Sequence, residues 1–463
     1  MADFDLLVIG GGPGGYVAAV RAATLGLRTA LVEERELGGT CLQRGCIPTK
    51  TLIESARAVH LARSGKSLGF SAAEVAPDLP AMVERKRRVV STLEKGVAAL
   101  LKKRGVEVLA GRARLTAAGA AEVVARDGTS RAVSASKVIL ATGSRPAALP
   151  FLPADGRAVF DSDTIMDLGR LPASLAVIGG GVLGCEFATL YAQLGVQVTV
   201  VEMLDRLLPT IDADCAAEVT RALKKLRVKV QTGARIESAE ARAGAPCRLV
   251  LAGGAAVETE AVLVAAGRRP NSADLGLEAI GVAVERGFVK VDNRCRTSVP
   301  GVWAIGDLTG GWMLAHAASR MGLVAAADAA GKLGDERYEF DKVPGAVFTD
   351  PEVGSVGLTL QAANARGLAA EERAFPFRML GRSACGHDLS GVAKLVYGRD
   401  SRRVLGVHIC GPHASDLIGE GALAVSAGLT VEQLAATVHA HPTYAEALYE
   451  AAEAAVGLPV HGL

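Results

Sequence analysis

Cys41 and Cys46 stand five positions apart in the run Gly38-Gly39-Thr40-Cys41-Leu42-Gln43-Arg44-Gly45-Cys46-Ile47-Pro48-Thr49-Lys50. Two thiols at that spacing are open to three chemistries: metal ligation, inert packing, or a reversible disulfide. Metal ligation finds no support, because no partner pair at zinc-like spacing occurs elsewhere in the chain. A disulfide needs unusual geometry. Five residues of regular helix rise about 7.5 Å, whereas bridged Cα atoms sit about 4.4–6.8 Å apart. A bridge here therefore implies a distorted turn, and Gly45 beside Cys46 supplies backbone freedom for one. Strain makes a bridge easy to reduce, which suits a catalyst rather than a staple. On the residues alone, inert core thiols stay open as the alternative.

A thiol catalyst needs a base. Near the far end the chain reads His439-Ala440-His441-Pro442-Thr443-Tyr444-Ala445-Glu446. A neighbouring carboxylate raises a histidine's proton affinity and fixes its tautomer, so that it can take a thiol proton. The imidazolium so formed stabilises a thiolate. The competing structural reading makes Thr443 and Glu446 a capping box ahead of an alanine-rich helix, with His441 a turn residue.

The elements that must position these groups are written in glycine. Leu6 to Ile9 is an apolar strand ending at Gly10-Gly11-Gly12-Pro13-Gly14-Gly15; a helical pattern follows over Val17 to Leu25, then a strand over Thr29 to Val32 closing on Glu33. Gly10, Gly12 and Gly15 give G-x-G-x-x-G, in which the glycines permit the tight turn, the approach of a pyrophosphate, and close helix–strand packing. The helix N-terminus offers free N–H groups to the phosphates. The pattern returns. Leu175 to Ile178 leads into Gly179, Gly181 and Gly184, and Val198 to Val201 closes on Glu202. The glycine-to-glutamate spacing is 33 − 10 = 23 in the first and 202 − 179 = 23 in the second. Two dinucleotide sites are therefore predicted. Glu202 favours a free ribose hydroxyl and disfavours a phosphate, which points to NAD over NADP. Met203 and Leu204 follow it, and Arg206 is the one nearby cation.

The 463 residues exceed a single compact core and suggest about three domains. A net charge of +2 gives no electrostatic reason for nucleic-acid or membrane partners. The cluster Arg85, Lys86, Arg87, Arg88 reads as a solvated helix face. No apolar run reaches the roughly 18 residues of a membrane helix, and the N-terminus lacks signal-peptide features. The eight cysteines, dispersed apart from the one pair, fit a reducing compartment. A cytoplasmic protein is expected.

The run from Cys41 to Lys50 resembles the active-site motif of the pyridine nucleotide–disulfide oxidoreductases, and the resemblance extends over nearly the whole chain. Ala141-Thr142-Gly143-Ser144, Ala266-Gly267-Arg268-Arg269-Pro270-Asn271 and Ala304-Ile305-Gly306-Asp307 follow in that family's order. The resemblance implies FAD at the first fingerprint and NAD at the second. It implies Asp307 at the ribityl chain, Gly111, Thr142 and Gly143 along the FAD, and Met313-Leu314-Ala315-His316 beside the flavin ring. Gly267 falls in one of the shared motifs and is expected at the cofactors as well. Lys50 and Glu186 look like the family's ion pair near the flavin and the nicotinamide. The stretch His441 to Glu446 is similar to the His-Pro-Thr-x-x-Glu signature of members that oxidise dihydrolipoyl groups. There the base serves the other subunit, so a homodimer is implied, with His441 as base in preference to His439. No metal is expected.

The implied architecture is α/β, with two Rossmann-like dinucleotide-binding domains and a C-terminal α/β dimerisation domain. The expected boundaries are an FAD domain over 1–146, an NAD domain over 147–271, a central segment over 272–341 completing the FAD region, and an interface domain over 342–463. Glu202, the His441–Glu446 stretch and a tail without extra cysteines (Val460-His461-Gly462-Leu463) favour oxidation of dihydrolipoyl groups. The carrier would be a separate chain of a 2-oxo acid dehydrogenase or glycine cleavage assembly. A reductase of another disulfide or small electrophile on the same fold is the alternative, as is a role chiefly as a docked subunit. Arg320 stands where many relatives carry an acidic residue, and the stretch Met379 to Ser390 departs from the usual pattern. Cys385 and His387 within it lack a convincing third metal ligand. Cys185 reads as a small core residue.

Overall fold

The computed structural model describes residues 2–461, so Met1 and the tail residues Gly462 and Leu463 lie outside the described part. The chain divides into two compact units. One comprises the residues up to Leu52 with Pro80–Ala147 and Gly267–Phe340; the other comprises Ile53–Leu79, Ala148–Ala266 and Asp341–Leu463.

In the first unit, four-residue Leu6–Ile9 is the centre of a parallel sheet. The strand order is Val302–Ala304, Val138–Leu140, Leu6–Ile9, Thr29–Glu33, Glu107–Ala110. Every residue of Leu6–Ile9 is buried, as expected of a parallel strand covered on both faces. The helix Pro13–Thr24 starts earlier than its apolar periodicity suggested, because Pro13 fits the first helical position, where no N–H is needed. It packs on Ala315–Ala329 through absent side chains: a Cβ on Gly322 would sit 2.5 Å from the Gly14 carbonyl oxygen. A three-stranded antiparallel sheet (Arg112–Ala117, Ala120–Val124, Ser130–Ser134) completes the strands of this core together with two short ribbons.

The second unit repeats the parallel design in the order Lys229–Gln231, Gln197–Val201, Ser174–Ile178, Ala261–Val264, Val159–Asp161. The outermost strand differs in origin. In the first sheet it comes from far downstream, at Val302–Ala304, and in the second from just upstream, at Val159–Asp161. The same unit holds an antiparallel sheet of Gly345–Val347, Glu352–Gly357, Val404–Gly411, Val392–Gly398 and Ala370–Pro376. The helices Ala414–Ala427 and Glu446–Val456 bury their apolar faces in the core of this sheet with Phe375, Phe377, Tyr397 and Ile409. Lys394 on this sheet is buried and pairs with Asp212 at 3.0 Å, Asp214 at 2.7 Å and Glu372 at 3.3 Å. Asp212 also caps the helix Ala213–Lys225, so one ion cluster ties the parallel sheet's helix to the antiparallel sheet. Removing Lys394 would leave the buried Asp212 carboxylate without its cation.

Two expectations change here. The basic run is solvated except at Lys86, which is buried: Arg85, Arg87 and Arg88 are exposed, with Arg85 donating to the Thr51 carbonyl at 2.9 Å. The predicted capping box is replaced as well. The helix begins at Glu446 with Ala445 as its cap, and the Thr443 hydroxyl donates to the Ala440 carbonyl at 2.7 Å instead of accepting from the helix. Only half of the reciprocal pattern survives, with the Glu446 carboxylate accepting the Thr443 N–H at 2.8 Å. Cys185 is fully buried as expected; burial, with Glu186 and Glu202, pushes its thiol up to about 12.

Candidate active site

The two glycine loops are built alike to within tenths of an ångström. Gly10 has φ +107° and Gly179 has φ +108°. A Cβ on Gly10 would lie 2.3 Å from the Ala141 carbonyl oxygen, and one on Gly179 would lie 2.5 Å from that of Ala265. On Gly15 it would lie 1.8 Å from the Gly10 oxygen, and on Gly184 it would lie 1.9 Å from the Gly179 oxygen. These four positions admit no side chain. The middle glycines are the opposite case: Gly181 faces nothing within 4 Å, and Gly12 meets only Gly39 Cα at 3.9 Å. Each middle glycine caps a helix with no side-chain partner, so each loop presents helix-end N–H groups to open space. A pyrophosphate fits such a cradle.

Glu33 and Glu202 close the second strands as expected, and both anchor the loop itself. Glu33 accepts from the Gly11 N–H at 2.6 Å and from the Arg35 N–H at 2.8 Å. Glu202 accepts from Gly180 at 2.5 Å and from Leu204 at 2.8 Å. A carboxylate has about four lone-pair sites, so each keeps capacity for ribose hydroxyls. Arg206 is turned away: its guanidinium donates to the carbonyls of Pro209 at 2.8 Å and Ile211 at 3.1 Å. That commitment removes the nearby cation a 2′-phosphate would want.

The cysteine pair grows directly from the first loop. Gly38 donates to the Gly11 carbonyl at 2.9 Å, and the short helix Gly39–Arg44 carrying Cys41 starts there. It breaks at Gly45, and Cys46 opens the 18-residue helix Cys46–Arg63. The break is where the spacing demanded it. Gly45 has a negative φ of −136°; what excludes a side chain is a Cβ position 2.8 Å from the Thr40 carbonyl oxygen and 3.3 Å from Cys41 Cα. Neither sulfur is bridged in a disulfide. The hydrogen bond with Cys46, then burial and the charge of Cys46, push the Cys41 thiol far up, against a downward pull from Lys50. Cys41 is thereby held to its proton, and the place of Cys46 in the first turn of a long helix suits a thiolate.

Motifs far apart in sequence meet in the same unit. Arg268–Pro270 pairs with Ser144–Pro146 as an antiparallel ribbon. Asn271 donates to the Thr142 carbonyl at 3.0 Å, and the Thr142 hydroxyl donates to the Asn271 carbonyl at 2.8 Å. The Gly143 carbonyl takes the Asn271 N–H, and that of Gly267 takes the Ala147 N–H, both at 2.9 Å. Ser144, whose role was not foreseen, donates to Asp307 at 2.5 Å while accepting from Arg268 at 2.7 Å. Asp307 is thus held in one orientation. Its signal in the sequence was only that Ser144 and Arg268 fall inside recognised motifs. Gly111, at φ +158°, donates to the Glu33 carbonyl at 2.9 Å. Ala315 opens the helix Ala315–Ala329, whose cap, Leu314, provides no side-chain bond.

In the second unit Glu186 is fully buried on the helix Val182–Gln193 and accepts the Phe348 N–H at 3.0 Å. Lys50, one turn after Cys46, acts on Cys41 as noted. The base candidate is formed: His441 Nδ1 lies 2.8 Å from Glu446 Oε1. Burial alone would raise the Glu446 carboxyl; the Thr443 N–H, the His441 hydrogen bond and the charges of His441 and His439 outweigh it and hold it below the usual range. A carboxylate acceptor at Nδ1 puts the proton there and leaves Nε2 to take one from a substrate. The atypical stretch packs beside this loop: the Tyr444 hydroxyl donates to Asp388 at 3.2 Å, and Arg382 lies 5.3 Å over the Tyr444 ring. Cys385 is exposed, and among the described residues no group of three or more metal-ligating side chains occurs. Arg320 makes an exposed pair with Glu336 at 3.6 Å. No described helix is long and apolar enough to cross a membrane.

Residues 4–322 match the family described as pyridine nucleotide-disulphide oxidoreductase, and residues 343–452 match the dimerisation domain of the same family. A dihydrolipoyl dehydrogenase of Geobacillus stearothermophilus is 42% identical over 462 residues, covering 99% of this chain and 97% of that one. One from Chlamydia muridarum is 40% identical over 461 residues, covering 99% and 98%. Among solved structures, LpdA from Mycobacterium tuberculosis superposes with a TM-score of 0.91 at 33% identity, covering 97% of this chain and 99% of that one. The HOCl-induced flavoprotein disulfide reductase RclA from Escherichia coli gives 0.84 at 28% identity, covering 97% and 99%. The chain belongs to the pyridine nucleotide-disulphide oxidoreductases.

Proposed function

From membership in that family we infer that this chain oxidises dihydrolipoyl groups to the cyclic disulfide and reduces NAD, with FAD as its bound cofactor. The observation that carries the reading is the Cys41–Cys46 pair growing out of one open dinucleotide loop, in a chain that holds a second such loop and a His–Glu base. Full-length likeness to relatives named dihydrolipoyl dehydrogenase supports the substrate.

FAD would sit at Gly10, Gly12, Gly15 and Glu33, with Gly111, Thr142, Gly143, Gly267, Asp307 and Ala315 along it. NAD would sit at Gly179, Gly181, Gly184 and Glu202. Lys50 would stand near the flavin, and Glu186 near the nicotinamide. The domain boundaries proposed with this reading are 1–146, 147–271, 272–341 and 342–463, in a cytoplasmic homodimer.

His441 takes a proton from one thiol of the substrate, and the thiolate attacks Cys41 Sγ in the oxidised pair. The Cys41–Cys46 bond breaks and Cys46 leaves as a thiolate. The second substrate thiol attacks the mixed disulfide, closes the product ring and releases Cys41, so the substrate has lost two electrons and the pair has gained them. FAD held by Gly10, Gly12, Gly15 and Glu33 would supply the two-electron relay to NAD that restores the disulfide. His441 acts on the pair of a second copy of the chain. The dihydrolipoyl group is brought by a separate carrier of a 2-oxo acid dehydrogenase or glycine cleavage assembly.

An anaerobic titration with dihydrolipoamide, followed by NAD, tests the reading. A long-wavelength thiolate-to-flavin charge-transfer band, with NADH appearing on addition of NAD, is expected. Flavin unchanged by dihydrolipoamide but reduced by NADH would move the substrate to another disulfide or electrophile. The two loops are separable by one methyl group. Gly184→Ala places a Cβ 1.9 Å from the Gly179 oxygen, and overpacking on that scale should weaken NADH binding at least about tenfold. FAD stoichiometry should stay at wild-type level, because the first loop is untouched. Equal NADH affinity in the variant would remove the second loop from the NAD site.

A further inference from the structure

His439 lies outside the base motif, yet it is the more tightly held of the two histidines. Its side chain is 7% exposed, against 75% for His441. Nε2 lies 2.8 Å from Glu420 Oε1 and Nδ1 lies 2.9 Å from the Thr437 carbonyl. A carboxylate and a carbonyl both only accept, so each ring nitrogen of His439 faces an acceptor and the ring is held from both sides. The ring also leans on Tyr449, at 5.6 Å between centroids.

These contacts come from three directions. Glu420 belongs to the helix Ala414–Ala427, Tyr449 to the helix Glu446–Val456, and Thr437 to the turn after the helix Val431–Ala435. Between the last two helices runs the irregular segment 436–445 that carries His441. Glu446 and the Thr443 bonds fix its downstream half. Val438, one residue before His439, is 95% exposed, so the upstream half gains no anchorage from that apolar side chain.

We propose that the His439–Glu420 pair is a positioning device that clamps the upstream half of the base loop, so that His441 and Glu446 meet the substrate thiol in register. The inference rests on the assignment of His441 as the base. The His439 charge also contributes to holding Glu446 below the usual carboxylate range, which favours the ionised form that orients His441. General-base catalysis is sensitive to ångström displacement, so a loosened loop costs rate without touching either nucleotide site.

The test uses the FAD-loaded protein with Glu420→Ala, Glu420→Gln, Glu420→Ala/His439→Ala and, in parallel, His441→Gln. Glu420→Ala should lower kcat for dihydrolipoamide about tenfold, with NADH:ferricyanide activity and FAD content at wild-type levels. Glu420→Gln, whose amide oxygen still accepts from Nε2, should recover most of that loss. The double variant should be no worse than Glu420→Ala, since the two residues act as one unit. Wild-type kcat in Glu420→Ala alongside a disabled His441→Gln overturns the clamp and leaves the base assignment standing. Wild-type kcat in His441→Gln overturns both. A parallel fall in ferricyanide activity for Glu420→Ala shows a general structural role and also overturns the clamp.

Discussion

Cys46→Ser lowers dihydrolipoyl oxidation by at least about a thousandfold, because the step it removes is covalent and has no substitute. The FAD stays bound and NADH:ferricyanide turnover continues, since neither glycine loop contacts the change. The two sulfurs are in contact but not equivalent. Cys41 is driven to keep its proton by the hydrogen bond with Cys46, by burial and by Cys46's charge. Cys46 opens an 18-residue helix, where the positive dipole end supports a thiolate. A serine there is neither oxidisable nor a thiolate. Cys41→Ser separates the roles: it abolishes turnover too, but retains the Cys46 thiolate, so the long-wavelength absorption of flavin beside thiolate should persist in that variant and be absent from Cys46→Ser. Unchanged dihydrolipoamide turnover in Cys46→Ser would sink the relay.

His441→Gln should cost about 10²–10⁴ in dihydrolipoamide kcat, the usual worth of a positioned general base. Glutamine keeps the size and can still bond Glu446, but it takes no proton. The geometry limits what Glu446 contributes. Its carboxyl is held below the usual range despite burial, by the Thr443 N–H first and His441 next. It therefore stays ionised across the working pH range. Glu446→Gln retains an acceptor at 2.8 Å from Nδ1 but loses the charge that stabilises the imidazolium, so it should be milder than His441→Gln. Stopped-flow reduction by dihydrolipoamide reads this directly; reduction by NADH in the same variants should be unaffected. A His441→Gln enzyme reduced by dihydrolipoamide at the wild-type rate would return the base role to another group.

Local chemistry made most of this site legible in the sequence. A turn that admits no Cβ can only be written as glycine, so Gly10, Gly15, Gly179 and Gly184 announced both nucleotide loops. The spacing of Cys41 and Cys46 required a helix break, and the break is there. The capping box failed for a local reason of another kind. Thr443 has two competing partners, and its hydroxyl found the Ala440 carbonyl rather than the helix end. Sequence alone cannot rank bonds of nearly equal energy.

What only the tertiary structure decided are the non-local pairings. Ser144 meets Asp307 across 163 residues and Arg268 across 124. Arg206 points into its own loop, and Lys86 is buried within a run that read as solvated. His439 was set aside because it lies outside the motif, and Glu420, 19 residues upstream, is what gives it a role. Periodicity and turn chemistry act over a few residues, and they fixed the elements, the two loops and the cysteine pair. The direction of a charged side chain is set by whichever partner the packed chain brings within about 3 Å, and that partner is chosen only when the helices and sheets come together.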